Sequence, residues 1–246
     1  MLFKHPLLVQ ACLIGFCTST TFTSFWTTLT FLLSSPPYSY PPLYIGLFGL
    51  IGIGALSLGP FYSRLVIDRF PSLHSVIIGQ VFCLTGILIG TFIGTFTIAG
   101  PVIQAFLIDL GLLTSQIANR AAIFSLEPTA RNRVNTAFMV AVFIGQLVGT
   151  AAGNALYAQG GWRWSGGVSA GFIGLALVLC GIRGPWEGEW WGWSGGWGME
   201  RKGENHHGGG ELEEERREMK KEKMLGREGD GGSKDSVKHG LGDDHV

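Results

Sequence analysis

Charged side chains are scarce over most of this 246-residue chain. Residues 1–182 contain only ten of them, seven basic and three acidic, which is too few to coat a water-soluble domain of that size. The other eleven basic and fifteen acidic side chains all lie in residues 183–246, so the net charge of zero is a cancellation between two unlike parts. We therefore predict a transmembrane domain over residues 1–185, followed by a tail over residues 186–246. The tail is first Trp/Gly-rich and then charged, a composition typical of a mostly disordered cytosolic segment.

Groups that support enzyme chemistry are also sparse. An intramembrane aspartyl protease needs two carboxylates in adjacent spans, and only Asp109 qualifies; a serine type needs a mid-membrane histidine, yet His5 and His74 fall at span boundaries. No glycine loop for phosphate is followed by Lys-Ser/Thr. The chain is expected not to be an enzyme and to use no metal or other cofactor. Four cysteines lie in apolar stretches without C-x-x-C spacing and are interpreted as core residues: Cys12, Cys17, Cys83 and Cys180.

Long apolar runs, by contrast, are abundant. A hydrocarbon core about 30 Å thick requires roughly 20 residues of helix. Six runs of that length are bounded by proline, glycine or charge, and they predict an all-α membrane protein built as a six-helix bundle. The predicted spans lie near residues 7–33, 44–67, 75–94, 98–120, 135–157 and 165–182. Glycines recur at four-residue spacing inside several of these runs, which is typical of tight packing between membrane helices.

Basic residues alternate between the connections. Arg64 and Arg69 follow the second span and Arg131 and Arg133 follow the fourth, whereas Arg163 alone follows the fifth. The connections after the first and third spans carry no charge. Because Lys and Arg are retained on the cytosolic side of short loops, both termini are predicted to be cytosolic in a multi-pass protein of the plasma membrane.

Asp109 is the clearest ionisable residue inside a predicted span. Such a group at a helix centre costs at least about 2.5 kcal/mol, which makes it a functional candidate. The same helix carries Gln104, Gln116 and Asn119, which are candidates for the same substrate or proton pathway. At about 100° per residue, Gln116 returns to within about 20° of the Asp109 face. Two interpretations stay open: Asp109 lines a wet cavity as a proton-binding or substrate-contacting carboxylate, or it is hydrogen-bonded and joins helices.

The first predicted span is rich in hydroxyl groups. They favour either a cavity wall or bonds back to the carbonyls of their own helix. Trp26, in their midst, is a candidate substrate contact, with core or interface packing as the alternative. The nine hydroxyl residues are Thr18, Ser19, Thr20, Thr21, Thr23, Ser24, Thr27, Thr28 and Thr30.

Two segments resemble the major facilitator superfamily of transporters. In residues 59–70, Gly59 precedes an Asp68-Arg69 pair in a short predicted loop, as in the loop motif of that family, although Ser63 replaces the usual glycine before Arg64. Residues 109–139 resemble the connection between spans ten and eleven of a bacterial and fungal efflux-permease branch. The positions that carry this second likeness include Asp109, Arg120, Arg131, Arg133 and Asn135.

The resemblance covers roughly residues 1–186 and corresponds to the second half of a twelve-span transporter. It implies a solute site near the bilayer midplane between two six-helix halves that rock against each other. It also implies that Arg64 and Asp68 belong to a cytosolic latch that breaks and reforms during rocking. The alternative is that these charges only set the orientation of the chain in the membrane.

The expected function is secondary active transport of a small organic solute, as proton-coupled efflux, by a fragment or half of a transporter. The alternative is a truncated polytopic membrane protein with no transport activity of its own. Expected partners are the lipid bilayer, a small-molecule substrate, and either the missing N-terminal six-span half or a second copy of the chain. No nucleic-acid partner is expected.

Overall fold

The computed structural model describes residues 5–62, 70–126 and 131–184, together with Trp190 and Gly192. Within those residues the chain is helical, and extended pairing is confined to an isolated bridge between Arg183 and Gly192. Apart from Trp190 and Gly192, the predicted tail over 186–246 lies outside the described residues. The same is true of the loop residues Arg64, Asp68 and Arg69. The helices are α1 (Pro6–Ser34), α2 (Pro42–Leu47), α3 (Gly49–Tyr62), α4 (Ser72–Ile93), α5 (Ala99–Leu126) and α6 (Arg131–Ile182).

Five helical segments of the described chain are long and apolar enough to cross a membrane. The prediction of an all-α membrane protein is confirmed at that level, but the predicted count of six is not reproduced by six separate helices. The difference lies in α6, which takes up the predicted spans at 135–157 and 165–182 in one run of 52 residues. The five segments are Pro6–Ser34, Pro42–Gly59, Ser72–Ile93, Ala99–Ser125 and Arg131–Ile182.

Helix α6 is broken at Gly161, where φ is 70° and ψ is −162°. This is a backbone conformation that only glycine adopts readily. Before the break, Gly145 packs on the backbone of Phe16 and Gly153 packs on Ser24. The contact positions increase along both helices, from Phe16 to Ser24 in α1 and from Gly145 to Gly153 in α6. This first part of α6, residues 131–160, therefore runs in the same direction as α1.

After the break, the contacts with α1 reverse their order. Ser165 lies 3.3 Å from the hydroxyl of Ser24, and Gln10 donates a 2.8 Å hydrogen bond to the carbonyl of Leu179. The second part of α6, residues 162–182, therefore runs antiparallel to α1. Trp162, directly after the break, donates a 2.8 Å hydrogen bond to the carbonyl of Gly90 and so ties the turn to α4.

The remaining helices alternate in direction as well. Gly79 packs on Gly111 near the start of α4, and Gly90 packs on Gln104 near its end, so α4 and α5 are antiparallel. Helix α3 is parallel to α5, because Gly52 lies against Asp109 and Gly59 lies against Leu113. Successive segments thus run in alternating directions, and the first and last described helical residues lie at the same end of the bundle.

The hydroxyl groups of α1 mostly point into the bundle. Thr18, Ser19, Thr20, Thr21, Ser24 and Thr28 are all buried. Thr20 donates to the carbonyl of Gly145 at 3.0 Å, and Thr21 donates to the carbonyl of Ser169 at 3.3 Å. In lipid such bonds satisfy polar groups that have no water to bond. For the buried hydroxyls the structure therefore favours helix packing over a cavity wall.

Candidate functional site

An elongated cleft of about 380 Å³ lies between α1, α3 and α5. The three helices contribute different chemistry to it, with aromatic rings from α1, backbone from α3 and polar side chains from α5. Leucine and isoleucine side chains of α3 and α5 complete the lining. The residues that set its chemistry are Phe22 and Trp26 of α1, Gly52 of α3, and Asp109, Gln116 and Arg120 of α5.

The floor of the cleft is a stripe of α5 residues spaced four, three and four apart. Asp109, Leu113, Gln116 and Arg120 share one helix face because this spacing follows the 3.6-residue turn. The predicted common face of Asp109 and Gln116 is thus present in the structure. Arg120 donates a 3.3 Å hydrogen bond to the side-chain oxygen of Gln116 and lies 3.2 Å from the sulfur of Met139.

The two ionisable groups of this stripe are separated. Eleven residues of helix put Asp109 and Arg120 roughly 16 Å apart along the axis, too far for a direct ion pair. The cleft therefore carries the carboxyl group of the half-buried Asp109 near the middle of α5 and a guanidinium closer to the end of that helix. The Nε of Arg120 is buried and has no hydrogen-bond partner among the described residues.

The carboxyl group of Asp109 is enclosed from two sides. Its Oδ1 accepts a 3.3 Å hydrogen bond from the indole N–H of Trp26. Its Oδ2 is buried without a partner among the described residues, and it faces the backbone of Gly52. An added Cβ at Gly52 would lie 2.7 Å from that oxygen. Trp26, a predicted substrate contact, is thus brought together with Asp109 as a hydrogen-bond donor.

Two other predicted site residues lie outside the cleft. Gln104 is 2% exposed and packs against Gly90 of α4, while Asn119 is 4% exposed and donates a 3.4 Å hydrogen bond to Ser115. Gln104 is roughly 140° around the helix from Asp109, and Asn119 is roughly 80° away, so both face neighbouring helices rather than the cleft.

Apart from Asp109 and Arg120, the residues of the family-like segments do not line the cleft or are not described. Gly59 is buried, and a Cβ there would lie 2.7 Å from a methyl group of Leu113. Arg131 and Arg133 are exposed at the start of α6, and Asn135 is half-buried one turn later. Arg64, Asp68 and Arg69 lie outside the described residues.

Sequence reasoning missed Gly52. It is one of several glycines in an apolar segment, and each of them is compatible with close helix packing. Which glycine approaches a carboxylate depends on the register between α3 and α5, and that register is set by tertiary packing. Arg120 was singled out only as part of a family-like connection, although its spacing from Asp109 already placed it on the same face.

The long apolar helices define a multi-pass helical membrane protein. The chain is 31% identical over 182 residues to a protein of Escherichia coli O157:H7 named "Uncharacterized transporter YgaY"; these residues are 72% of this chain and 44% of that protein. It is 29% identical over 178 residues to a protein of Streptomyces coelicolor named "Probable transporter SCO4007"; these residues are 72% of this chain and 40% of that protein. The chain thus spans less than half the length of these relatives. No protein-family model and no solved structure matches it.

Proposed function

We propose that this chain is one half of a secondary active transporter of the major facilitator type, and that it moves a small organic solute by proton-coupled efflux. The observation that carries the proposal is the cleft between α1, α3 and α5, whose floor holds the carboxyl group of Asp109. A carboxyl group deep in a membrane bundle is expensive, and beside a cleft it can bind a proton or a polar group of a solute. The relatives named as transporters support the same class.

The proposed arrangement is six spans with both termini in the cytosol. The reversal of α6 at Gly161 supports this count, since a straight helix of 52 residues would be about 78 Å long and exceed the bilayer more than twofold. The alternating directions of the helices put both ends of the bundle-forming chain on one side. The loop arginines then favour the cytosol for that side.

The other half of the transporter is proposed to cover the open side of the cleft. Alternating access requires two units that move about a shared site, and the relatives are more than twice as long as the matched segment. A second copy of this chain is the rival occupant. The alternative function, a truncated membrane protein without transport activity, predicts that neither occupant restores uptake.

Reconstitution tests the proposal directly. The chain is placed in proteoliposomes alone, and with the segment of the Escherichia coli relative that it does not match. Proton movement is followed with an enclosed pH-sensitive dye while hydrophobic drugs and sugars are offered. Uptake only in the combined vesicles supports the half-transporter, and uptake by the chain alone as a dimer supports self-pairing. Absence of uptake in every combination, with both proteins folded and inserted, refutes transport.

A further inference from the structure

Helix α3 covers the second oxygen of the Asp109 carboxyl group. An added Cβ at Gly52 would lie 2.7 Å from Oδ2, 3.6 Å from Cγ of Asp109 and 3.9 Å from the indole ring of Trp26. The first of these distances is well below van der Waals contact, so only glycine allows the α3 backbone to approach this closely. The covered oxygen is buried and has no hydrogen-bond partner among the described residues, which is unfavourable in an apolar environment.

Helix α3 belongs to the least buried of the five apolar segments. In the candidate span Pro42–Gly59 only 11% of the residues are buried, against 61% in the corresponding window of α1. The hydroxyl of Ser57 bonds back to Ile53 of the same helix. By contrast, Gln80 of α4 donates to Thr18 at 2.8 Å and so joins α4 to α1.

Two glycines of α3 lie directly against side chains of α5. Gly52 lies against Asp109 and Gly59 against Leu113, seven residues and two turns apart on one face of α3. Helices that meet through glycine backbones make close contact with little interdigitation of side chains. A displacement of α3 away from α5 would uncover Oδ2, because Gly52 is the part of α3 that lies against this oxygen.

The other groups around Asp109 would remain in place when α3 moves. Trp26 of α1 donates a hydrogen bond to Oδ1, and Cys83 of α4 lies 3.8 Å from the carbonyl of Ile108, the residue before Asp109. Arg120 lies about three turns further along α5. Gly52 of α3 contributes no charge. Uncovering Oδ2 thus exposes one oxygen of an already oriented carboxyl group to the cleft.

We propose that Gly52 is a positioning residue that seats α3 over Asp109, so that a proton reaches Oδ2 only when α3 is displaced. This inference rests on the proposed function insofar as Asp109 serves transport. The covering of the carboxyl itself can be measured in the isolated chain, without any transport.

The first test measures how fast dicyclohexylcarbodiimide, an apolar carboxyl reagent, modifies Asp109 in the full chain in mild detergent. The variant Gly52→Ala adds a methyl group that α3 and the carboxyl cannot both accommodate. Its modification rate, followed by mass spectrometry of the Asp109 peptide, should rise about tenfold. Gly54→Ala is the matched control, because a Cβ there meets nothing within 4 Å. Equal rates in the wild type and both variants would overturn the proposal.

A second test does not depend on the folding of Gly52→Ala. Cysteines at positions 59 and 113, in a chain whose four native cysteines are replaced, can be joined by a short bifunctional methanethiosulfonate, since a Cβ at Gly59 lies 3.7 Å from Cγ of Leu113. This bridge between α3 and α5 should slow modification of Asp109 at least about tenfold, and its reductive removal should restore the rate. An unchanged rate in the bridged chain would overturn the proposal. If both labelling tests give the expected rates but the reconstituted vesicles show no uptake, the proposed transport function is refuted and the covering of Asp109 by Gly52 is not.

Discussion

The indole N–H of Trp26 donates a hydrogen bond to Oδ1 of Asp109 across 3.3 Å, and this bond joins α1 to the floor of the cleft. This partly buried hydrogen bond should contribute about 1 kcal/mol to stability, a net value because the two groups bond to water when the protein unfolds. We expect a coupling free energy of that size between Trp26→Phe and Asp109→Ala in a double-mutant cycle. Unfolding of the four proteins in detergent measures it.

The matched control for this cycle is Trp164→Phe. Its ring is 61% exposed on the outside of α6, so it should show no coupling with Asp109→Ala. A coupling free energy near zero for Trp26 as well would mean that the indole merely packs beside the carboxyl.

Replacing Asp109 by asparagine should remove proton coupling while leaving expression normal. Asparagine keeps the size and an acceptor oxygen for Trp26, but it cannot titrate. In combined vesicles we expect solute uptake to lose its dependence on the pH gradient. Gln116→Ala, which removes a polar but non-titratable group from the same cleft, should weaken uptake and retain that dependence. Uptake by Asp109→Asn with the wild-type pH profile would assign Asp109 to helix packing.

Gly161→Ala should destabilise the bundle by about 1–3 kcal/mol, because alanine is strained at the observed positive φ. A Cβ at this position meets nothing within 4 Å, so the effect is one of backbone strain without a clash. Gly167→Ala is the control, since that glycine is helical and its added Cβ also meets nothing. Thermal unfolding in detergent compares the two variants. Equal melting temperatures would show that α6 reverses without needing glycine there.

Cysteines at Ser39 and Arg163 should react with an impermeant thiol reagent added outside intact cells, and cysteines at Ser72 and Arg131 should not. Ser39 follows Tyr38, which donates a hydrogen bond to Gly94 at the end of α4, so it lies at the opposite end of the bundle from Ser72. The four native cysteines are buried and should stay silent. Labelling of Ser72 and Arg131 instead would invert the proposed orientation.

Features set by one helix could be predicted from the sequence. The common face of Asp109 and Gln116 follows from the helical repeat alone, and the same arithmetic puts Gln104 and Asn119 on other faces. The membrane class follows from long apolar runs with few charges. The membrane class and the shared face need no knowledge of which helix is the neighbour. The prediction that Gln104 and Asn119 belong to the same pathway does need it, and neither residue lines the cleft.

Features set by pairs of helices could not be predicted. The α1 hydroxyl groups are compatible with a cavity or with packing, and only the contacts of Thr20 and Thr21 with α6 carbonyls decide between them. In the same way, the sequence predicts separate spans at 135–157 and 165–182, but not that the reversal between them is made at Gly161 inside one continuous helical run. Both outcomes depend on contacts between residues more than 70 positions apart.

The hydrogen bond between Gln10 and Leu179 brings the start of α1 beside the end of α6. A short linker could therefore join these two ends without moving any helix, and the chain could be opened instead in the segment between Ser34 and Pro42. Such a circular permutant would keep every helix–helix contact but start and finish at the opposite end of the bundle. If loop charge alone sets the orientation of the bundle, the helices of the permutant would keep their orientation and its two ends would lie on the other side of the membrane. If the order of the spans sets it, the whole bundle would be inverted.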